Sequence, residues 1–538
     1  MLHVTVPQIP GAKVRARRGG GNWTITARGV HALQRLAAVS VGAGRLAEVD
    51  VQVESWRPPT PGWLGHPRVP GIAELQIVPE GRGVHVRIAF APEVDAAVAL
   101  AAVVRCLRPV ATGDRLPELT FTAGLPEEAA SLTPQLRDVH VAGEKRDRHL
   151  RRSDTLLVGA APGPEVERAV TVTVARDCWL RDDVAFDVCV DPTIHRPVGR
   201  RSTGGVVARG VQSSAALTIT AENISVVVEG SVSAANARAL RGVRALVIDQ
   251  DLPDRVRRQL NACGIPVAST ADALPAEDDH LGWQAWSVLE RRHAIRQYGP
   301  SVALVAWPSV SIILATHRPD HLDHALRQLS GLRYPDLEVV IGVHGPSVDA
   351  ARIWEMAQDI PHRATVVAVD AGATLGEVLQ ACSDRAEGAL ITKMDDDDFY
   401  GPEHIWDLVV ARLYSGAEIV GKALDWIYLE SGDATVFRPV YPAEKYSDFV
   451  AGGTILISRA DLMAVGGWRP VPKSVDRALL DRVLADGGLV YRTHGLGYVY
   501  VRHSAGHTAT VSDEHFLTRI EGRYDGLVVH EAFGTEAR

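Results

Sequence analysis

Cysteine is scarce. The five in the chain, Cys106, Cys178, Cys189, Cys263 and Cys382, are scattered, odd in number and never in C-x-x-C spacing. This excludes a disulfide framework and a zinc site, and reads as free, mostly buried thiols in a reducing compartment. No apolar run reaches the roughly 18 to 20 residues a membrane span needs; even Ala96 to Val104 falls short. Met1 to Lys13 lacks the basic-then-apolar pattern of a secretory signal, so the expected location is cytoplasmic and the Asn223-Ile224-Ser225 sequon carries no weight. A peripheral seat at the membrane stays open, as does an oligomer. Charge of one sign is also missing: a net charge of −8 and a pI near 6.2 give no pull toward nucleic acid, which is not an expected partner. Gly19 to Gly21 follow Arg17 and Arg18 but lead into no helix with Lys-Ser/Thr, which excludes a phosphate-binding P-loop.

What is present is ample core. With 46% apolar and 23% charged residues over 538 positions, the chain is globular and long enough for about three domains. Residues 1–150 read as a mixed α+β region: Trp23 to Thr26 and Val84 to Phe90 alternate as half-buried strands, and Ala96 to Cys106 reads as a helix. The mixed-charge run from Glu144 to His149 reads as a solvated interdomain segment. Residues 151–300 read as β-rich and then Rossmann-like. Strand-like runs at 169–174, 184–190, 216–220 and 224–228 precede a β-α-β step made by Val243 to Asp249, Asp254 to Cys263 and Gly264 to Ala268. That step resembles the closing part of some GT-B glycosyltransferases and reads as scaffold. Trp283 to Tyr298 reads as a basic amphipathic helix whose tryptophans pack rather than stack on ligand.

The chemistry concentrates in 301–525. Four aspartates, Asp395 to Asp398, follow the apolar run Gly388 to Ile391 and precede Phe399-Tyr400-Gly401-Pro402. Carboxylates behind a strand of an open α/β sheet lie at its carboxyl edge, where such folds bind ligands, and hard oxygens suit Mn²⁺ or Mg²⁺. Spacing of two along extended backbone sends Asp395 and Asp397 to one side, with Asp396 opposite. Val310 to Leu314 reads as a central parallel strand running into the turn Ala315-Thr316-His317-Arg318-Pro319.

Lys393 to Tyr400 resembles the Asp-x-Asp-Asp-aromatic-Tyr motif of family 2 glycosyltransferases of the GT-A fold. Val310 to Pro319, Thr374 to Gly388, Val450 to Thr454 and Val465 to Trp468 are similar, in order, to that family's nucleotide-binding strand and turn, its Gly-helix-Gly-strand run and its acceptor-side segments. The series covers about residues 308 to 510. It implies an α/β, Rossmann-like GT-A domain that moves a sugar from a nucleoside diphosphate-sugar to an acceptor hydroxyl, metal-dependent and inverting. The acceptor, whether glycan, lipid-linked or small molecule, stays open.

The resemblance also implies roles. Asp397 would ligate the metal and Asp395 the ribose or the metal shell, with a late histidine, His503 or His507, added. Thr316, Arg318, Lys393 and Asp396 would lie on the donor side, although Lys393 reads equally as a structural ion pair. The family commonly has an acid after the second strand, whereas this chain has His344; His344 or Asp370 would hold the base instead. Asp476, in Ser474-Val475-Asp476, would be the catalytic base, with Asp481 as fallback. Gly452 and Gly453 would let a sugar approach the backbone, and Trp426 and Trp468 offer flat faces for it. Two rivals stand. A nucleotidyltransferase would want glycines in the turn at Thr316 to Pro319, which has none. A non-catalytic carbohydrate- or nucleotide-binding assembly protein is favoured by the missing base-binding acid and opposed by the intact Asp395 and Asp397.

Overall fold

The computed structural model describes residues 12–16, 21–56 and 72–107 with short gaps, 139–141, 155–157, parts of 189–199, and, less a few residues, 204–298, 308–504 and 512–535. The strand-like runs expected at 169–174 and 184–188 lie outside the described residues.

Near the N-terminus, strands Ala12–Ala16, Asn22–Ala27, Arg45–Val53, Gly83–Asp95 and Ile72–Glu80 form one sheet in that order. Period-two alternation puts Trp23, Ile25, Val49, Val51, Val84, Val86 and Ile88 in a single core with the helix Ala96–Leu107. Half-exposed pairs on the same strands, Asp50–His85 at 2.6 Å and Glu48–Arg87 at 2.9 Å, hold polar side chains at the surface. A second sheet orders Ile224–Val228, Leu217–Ala221, Val206–Gln212, Val243–Val247 and Val267–Ala268, with the amphipathic helix Asp254–Ala262 beside it. Four of the five cysteines are described; all are buried and none is in a disulfide. Among the described residues no helix is long and apolar enough to cross a membrane.

The helix His280–Tyr298 is bonded to the C-terminal part of the chain. Ala285 and Val288 share a core with Trp426, Phe437 and Phe533. Arg291 meets Glu444 at 2.9 Å, and Arg292 grips Asp407 through two hydrogen bonds of 2.7 and 2.8 Å. Asp407 also takes Lys422 Nζ at 2.6 Å; full burial draws that amine down to about 8, and Asp407 opposes the fall. Breaking such a buried pair from one side costs roughly 3–5 kcal/mol.

The C-terminal body is built on strands β1 (Val310–Thr316), β2 (Leu337–Val343), β3 (Arg363–Ala368), β4 (Leu390–Met394), β5 (Phe399–Tyr400), β6 (Ile419–Lys422), β7 (Trp426–Leu429), β8 (Ala434–Phe437), β9 (Lys445–Tyr446), β10 (Leu456–Ser458), β11 (Val490–Thr493), β12 (Tyr498–Arg502) and β13 (Gly522–Asp525). Its helices are α1 (Leu322–Ser330), α2 (Ala350–Ala357), α3 (Leu375–Arg385), α4 (His404–Ser415), α5 (Arg459–Ala464), α6 (Val475–Ala485) and α7 (Asp513–Leu517). The main sheet runs β3-β2-β1-β4-β10-β6-β11-β9. β3, β2, β1 and β4 are mutually parallel, and β10 is antiparallel to both neighbours. β1 and β2 are nearly all apolar and buried because helices cover both faces of a parallel sheet. A smaller sheet, β5-β12-β7-β8-β13, packs beside it and brings the end of β12 over the end of β4. Helix α3 starts at a reciprocal capping box formed by Thr374 and Glu377.

One buried acid in this body works against stability at neutral pH. Asp425 is 3% exposed, its Oδ1 lacks a hydrogen-bond partner, and burial pushes it up to about 7. A carboxyl whose folded pKa is raised gives stability that is complete below its unfolded pKa of about 3.9 and is lost as pH rises through 7, on the order of 4 kcal/mol. Asp425→Asn is therefore expected to shrink the drop in thermal midpoint between pH 5 and pH 8. An unchanged drop, measured by scanning calorimetry, would refute this.

Candidate active site

β4 ends at Met394, and the chain then bends through Asp395 to Asp398 before re-entering a sheet as β5. The bend corrects the expectation of an extended segment with Asp395 and Asp397 on one side. The four carboxylates separate in different directions instead.

Asp395 turns toward Lys393, whose Nζ donates to Asp395 Oδ1 at 2.7 Å and lies 3.5 Å from Asp476 Oδ1. Lys393 is only 3% exposed, and the two acids hold its amine above the usual lysine range against the cost of burial. Asp476 stands in the first turn of α6. Partial burial raises its carboxyl; Lys393 pulls it back down and Asp395 adds to the rise. Asp481, the fallback base, is instead paired with Arg477 one turn away, at 2.6 Å, on an exposed face.

Asp396 is buried against the turn after β1. Thr316 Oγ1 donates to its Oδ2 at 2.6 Å, and the Arg318 guanidinium donates to both its oxygens. Thr316 is 1% exposed, so its hydroxyl serves Asp396. Arg318 extends on to Asp397 Oδ2 at 2.8 Å, and both carboxylates hold the guanidinium charged.

Asp397 faces a different set. Its Oδ2 lies 3.6 Å from His503 Nε2, just past β12. His321, in the single turn Pro319–His321 that opens α1, completes a group with ligand atoms within 4.8 Å of one another. The rings of His321 and His503 meet edge to face at 5.2 Å. Burial first, and then Arg318, holds His321 below the usual imidazole range, which favours the neutral, ligating form. Burial and then Asp395 push Asp397 up.

Asp398 is a clamp. It accepts from Tyr498 Oη at 2.7 Å and from the Val501 N–H at 2.9 Å, which ties the acid loop to the strand that delivers His503. Tyr400 Oη accepts from the Asp395 N–H at 2.8 Å and donates to the Gly453 carbonyl at 3.0 Å. A Cβ on Gly452 would stand 2.2 Å from Asp476 Oδ2, and one on Gly453 2.7 Å from Asp395 Oδ2. Their missing side chains make room for carboxylates.

Two further expectations, the tryptophan faces, are corrected. Trp426 is fully buried, packed on Phe437, Tyr524 and Phe533, with its indole N–H on Gln284 at 2.8 Å. Trp468 is 4% exposed and donates to Ser383 at 2.9 Å. Neither offers a face to a sugar, because each lies between packed elements. Asp370 is exposed and caps its own turn at the Gly372 N–H, 2.8 Å away. His344 stays at the end of β2 beside His317, with rings 5.2 Å apart edge to face. Burial, and then His317, lowers its pKa. His507 lies outside the described residues.

Five carboxylates, Asp395 to Asp398 and Asp476, thus converge with two basic side chains, Lys393 and Arg318. The surplus negative charge and the His-Asp-His donors fit a divalent cation. Sequence reasoning missed His321 because its signal, a histidine five residues beyond the end of an apolar strand, is common. It also missed Tyr498, which carries no local signal.

No family model and no curated protein matches the chain. Among solved structures, the chain is similar to S. aureus TarS 1-349 in complex with UDP-GlcNAc: 16% identity, 39% of this chain, 63% of that one, TM-score 0.31. It is similar to the mannosyltransferase PcManGT from Pyrobaculum calidifontis in complex with GDP-Man and Mn²⁺: 16% identity, 38% of this chain, 59% of that one, TM-score 0.30. A third likeness is to GalNAc-T7 with UDP, GalNAc and Mn²⁺: 12% identity, 36% and 44% of the two chains, TM-score 0.31. The chain thus spans less than two thirds of each of these chains, and likenesses of this size fix neither a fold nor an activity.

Proposed function

We propose that the chain is a metal-dependent glycosyltransferase of the GT-A type, similar to family 2, that transfers a sugar with inversion from a nucleoside diphosphate-sugar to an acceptor hydroxyl. The observation that carries this reading is the division of one acid loop into two faces at the carboxyl edge of β1 and β4. Asp397, with His321 and His503, forms one face; Asp476, with Lys393 and Asp395, forms the other.

The two faces suit the two halves of a displacement. On the first, a divalent cation held by Asp397 and the histidines would supply positive charge to the departing diphosphate. Arg318 is placed to share that load, being held beside Asp397 by the buried Asp396. His344, steadied by His317, borders the donor base. On the second, Asp476 takes the proton of the acceptor hydroxyl as its oxygen attacks the anomeric carbon. A raised carboxyl is a better proton acceptor near neutral pH than an ordinary one, and Lys393 opposes the rise. Inversion follows from the single displacement, with an acceptor hydroxyl where an inverting hydrolase uses water.

The test is a panel of nucleoside diphosphate-sugars with Mn²⁺, reading nucleoside diphosphate release with and without simple acceptors. Metal-dependent turnover of one donor, abolished by chelator, is the expected result. Donor hydrolysis indifferent to chelator, or calorimetry showing that no nucleoside diphosphate binds with metal, would overturn the reading.

A further inference from the structure

We propose that the cation site is a nitrogen-rich one, built by His321 and His503 with Asp397, that takes a divalent transition metal and rejects Mg²⁺ and Ca²⁺. The inference rests on the proposed function for the role of the ion and extends it to the ion's identity. It also changes the ligand set: His321 stands where the sequence expectation had Asp395, because Asp395 is engaged by Lys393.

Three observations support it. The donors come from three separate elements, the turn opening α1, the acid loop and the exit of β12, and still converge within 4.8 Å. Two of the three are imidazoles. Mg²⁺ and Ca²⁺ are hard ions that select oxygen, whereas Mn²⁺, Co²⁺ and Zn²⁺ accept imidazole nitrogen. The third observation concerns the other ring nitrogen of His503. Its Nδ1 lies 3.4 Å from Glu430 Oε1, and Glu430 is itself held, Oε2 accepting from the Ser504 N–H at 2.8 Å and from Ser504 Oγ at 3.0 Å. A carboxylate on the far nitrogen of a metal-binding histidine sets its tautomer and its aim. Here it places the Nδ1 proton toward Glu430 and leaves Nε2 for the side facing Asp397. Glu430 is thus a positioning residue, far upstream in sequence, at the end of β7.

The experiment is metal titration of the full chain, without donor or acceptor, by calorimetry and by electron spin-echo spectroscopy of bound Mn²⁺. One Mn²⁺ per chain with ¹⁴N modulation from two imidazoles is expected, with Mg²⁺ weaker by at least about tenfold. His321→Ala should lose one imidazole signal, and Glu430→Gln should weaken Mn²⁺ by roughly 10- to 100-fold with both signals retained. The spectrum of the unaltered chain decides even if a variant fails to fold: no ¹⁴N modulation, or Mg²⁺ binding as tightly as Mn²⁺, overturns the proposal. Because no sugar donor is present, a silent donor panel and a failed metal site are separate outcomes.

Discussion

Asp397→Asn is expected to lower Mn²⁺-dependent turnover of the donor about a thousandfold or more while leaving the fold intact. Loss of the charge partner for the departing diphosphate removes several kcal/mol of transition-state stabilisation, and each 1.36 kcal/mol is about tenfold in rate. The fold should tolerate the change because Asp397 is only 16% exposed and its carboxyl is pushed up by burial and by Asp395, so the ionised form is already disfavoured where it sits. Arg318 keeps its bonds to Asp396. A thermal midpoint within a few degrees of the unaltered chain, beside lost turnover, is the expected pair of results. Turnover retained within tenfold would remove Asp397 from the metal site.

The second large effect concerns the opposite face of the loop. Asp476→Asn should cut transfer to the acceptor by roughly 10²- to 10⁴-fold, the span of general-base catalysis, with donor and Mn²⁺ binding unchanged. Lys393→Met then reads the same group through pH. Lys393 lowers the Asp476 carboxyl, so its removal raises that pKa further. The base is active only when ionised, so the acidic limb of the rate profile should move to higher pH. Activity at high pH should recover, because Asp476 is again ionised there. A limb that stays in place in Lys393→Met, or an Asp476→Asn variant with full transfer, would reassign the base.

Much of the frame is legible along the chain because its signals are local. The run Val310 to Leu314 lies inside β1, and the strand read from Val243 begins at that residue. The bounds of the helix expected from Asp254 and of the strand from Ile224 depend on neighbours a few residues away, and both are found within a residue. Aromatic roles are another matter. Nothing near Trp426 or Trp468 tells a sugar platform from a core residue; partners at Gln284 and Ser383, far off in sequence, decide it.

Residue order alone dictates that an acid loop succeeds a buried parallel strand, that a polar turn succeeds the neighbouring strand β1, and that Asp476 opens a helix. Hydrophobic period, capping and turn chemistry act over a few residues and leave their marks in order. How the acids divide is a matter of packing. The bend after Met394 turns consecutive carboxylates toward Lys393, Thr316, His503 and Tyr498, brought together from distant parts of the chain. Packing also sets Gly452 and Gly453 where they make room for aspartates, and brings His321 to His503. Side-chain direction past a strand end is set by what packs against it, and that packing is made by residues far apart in the chain, as Thr316 is from Asp396 and His321 from His503.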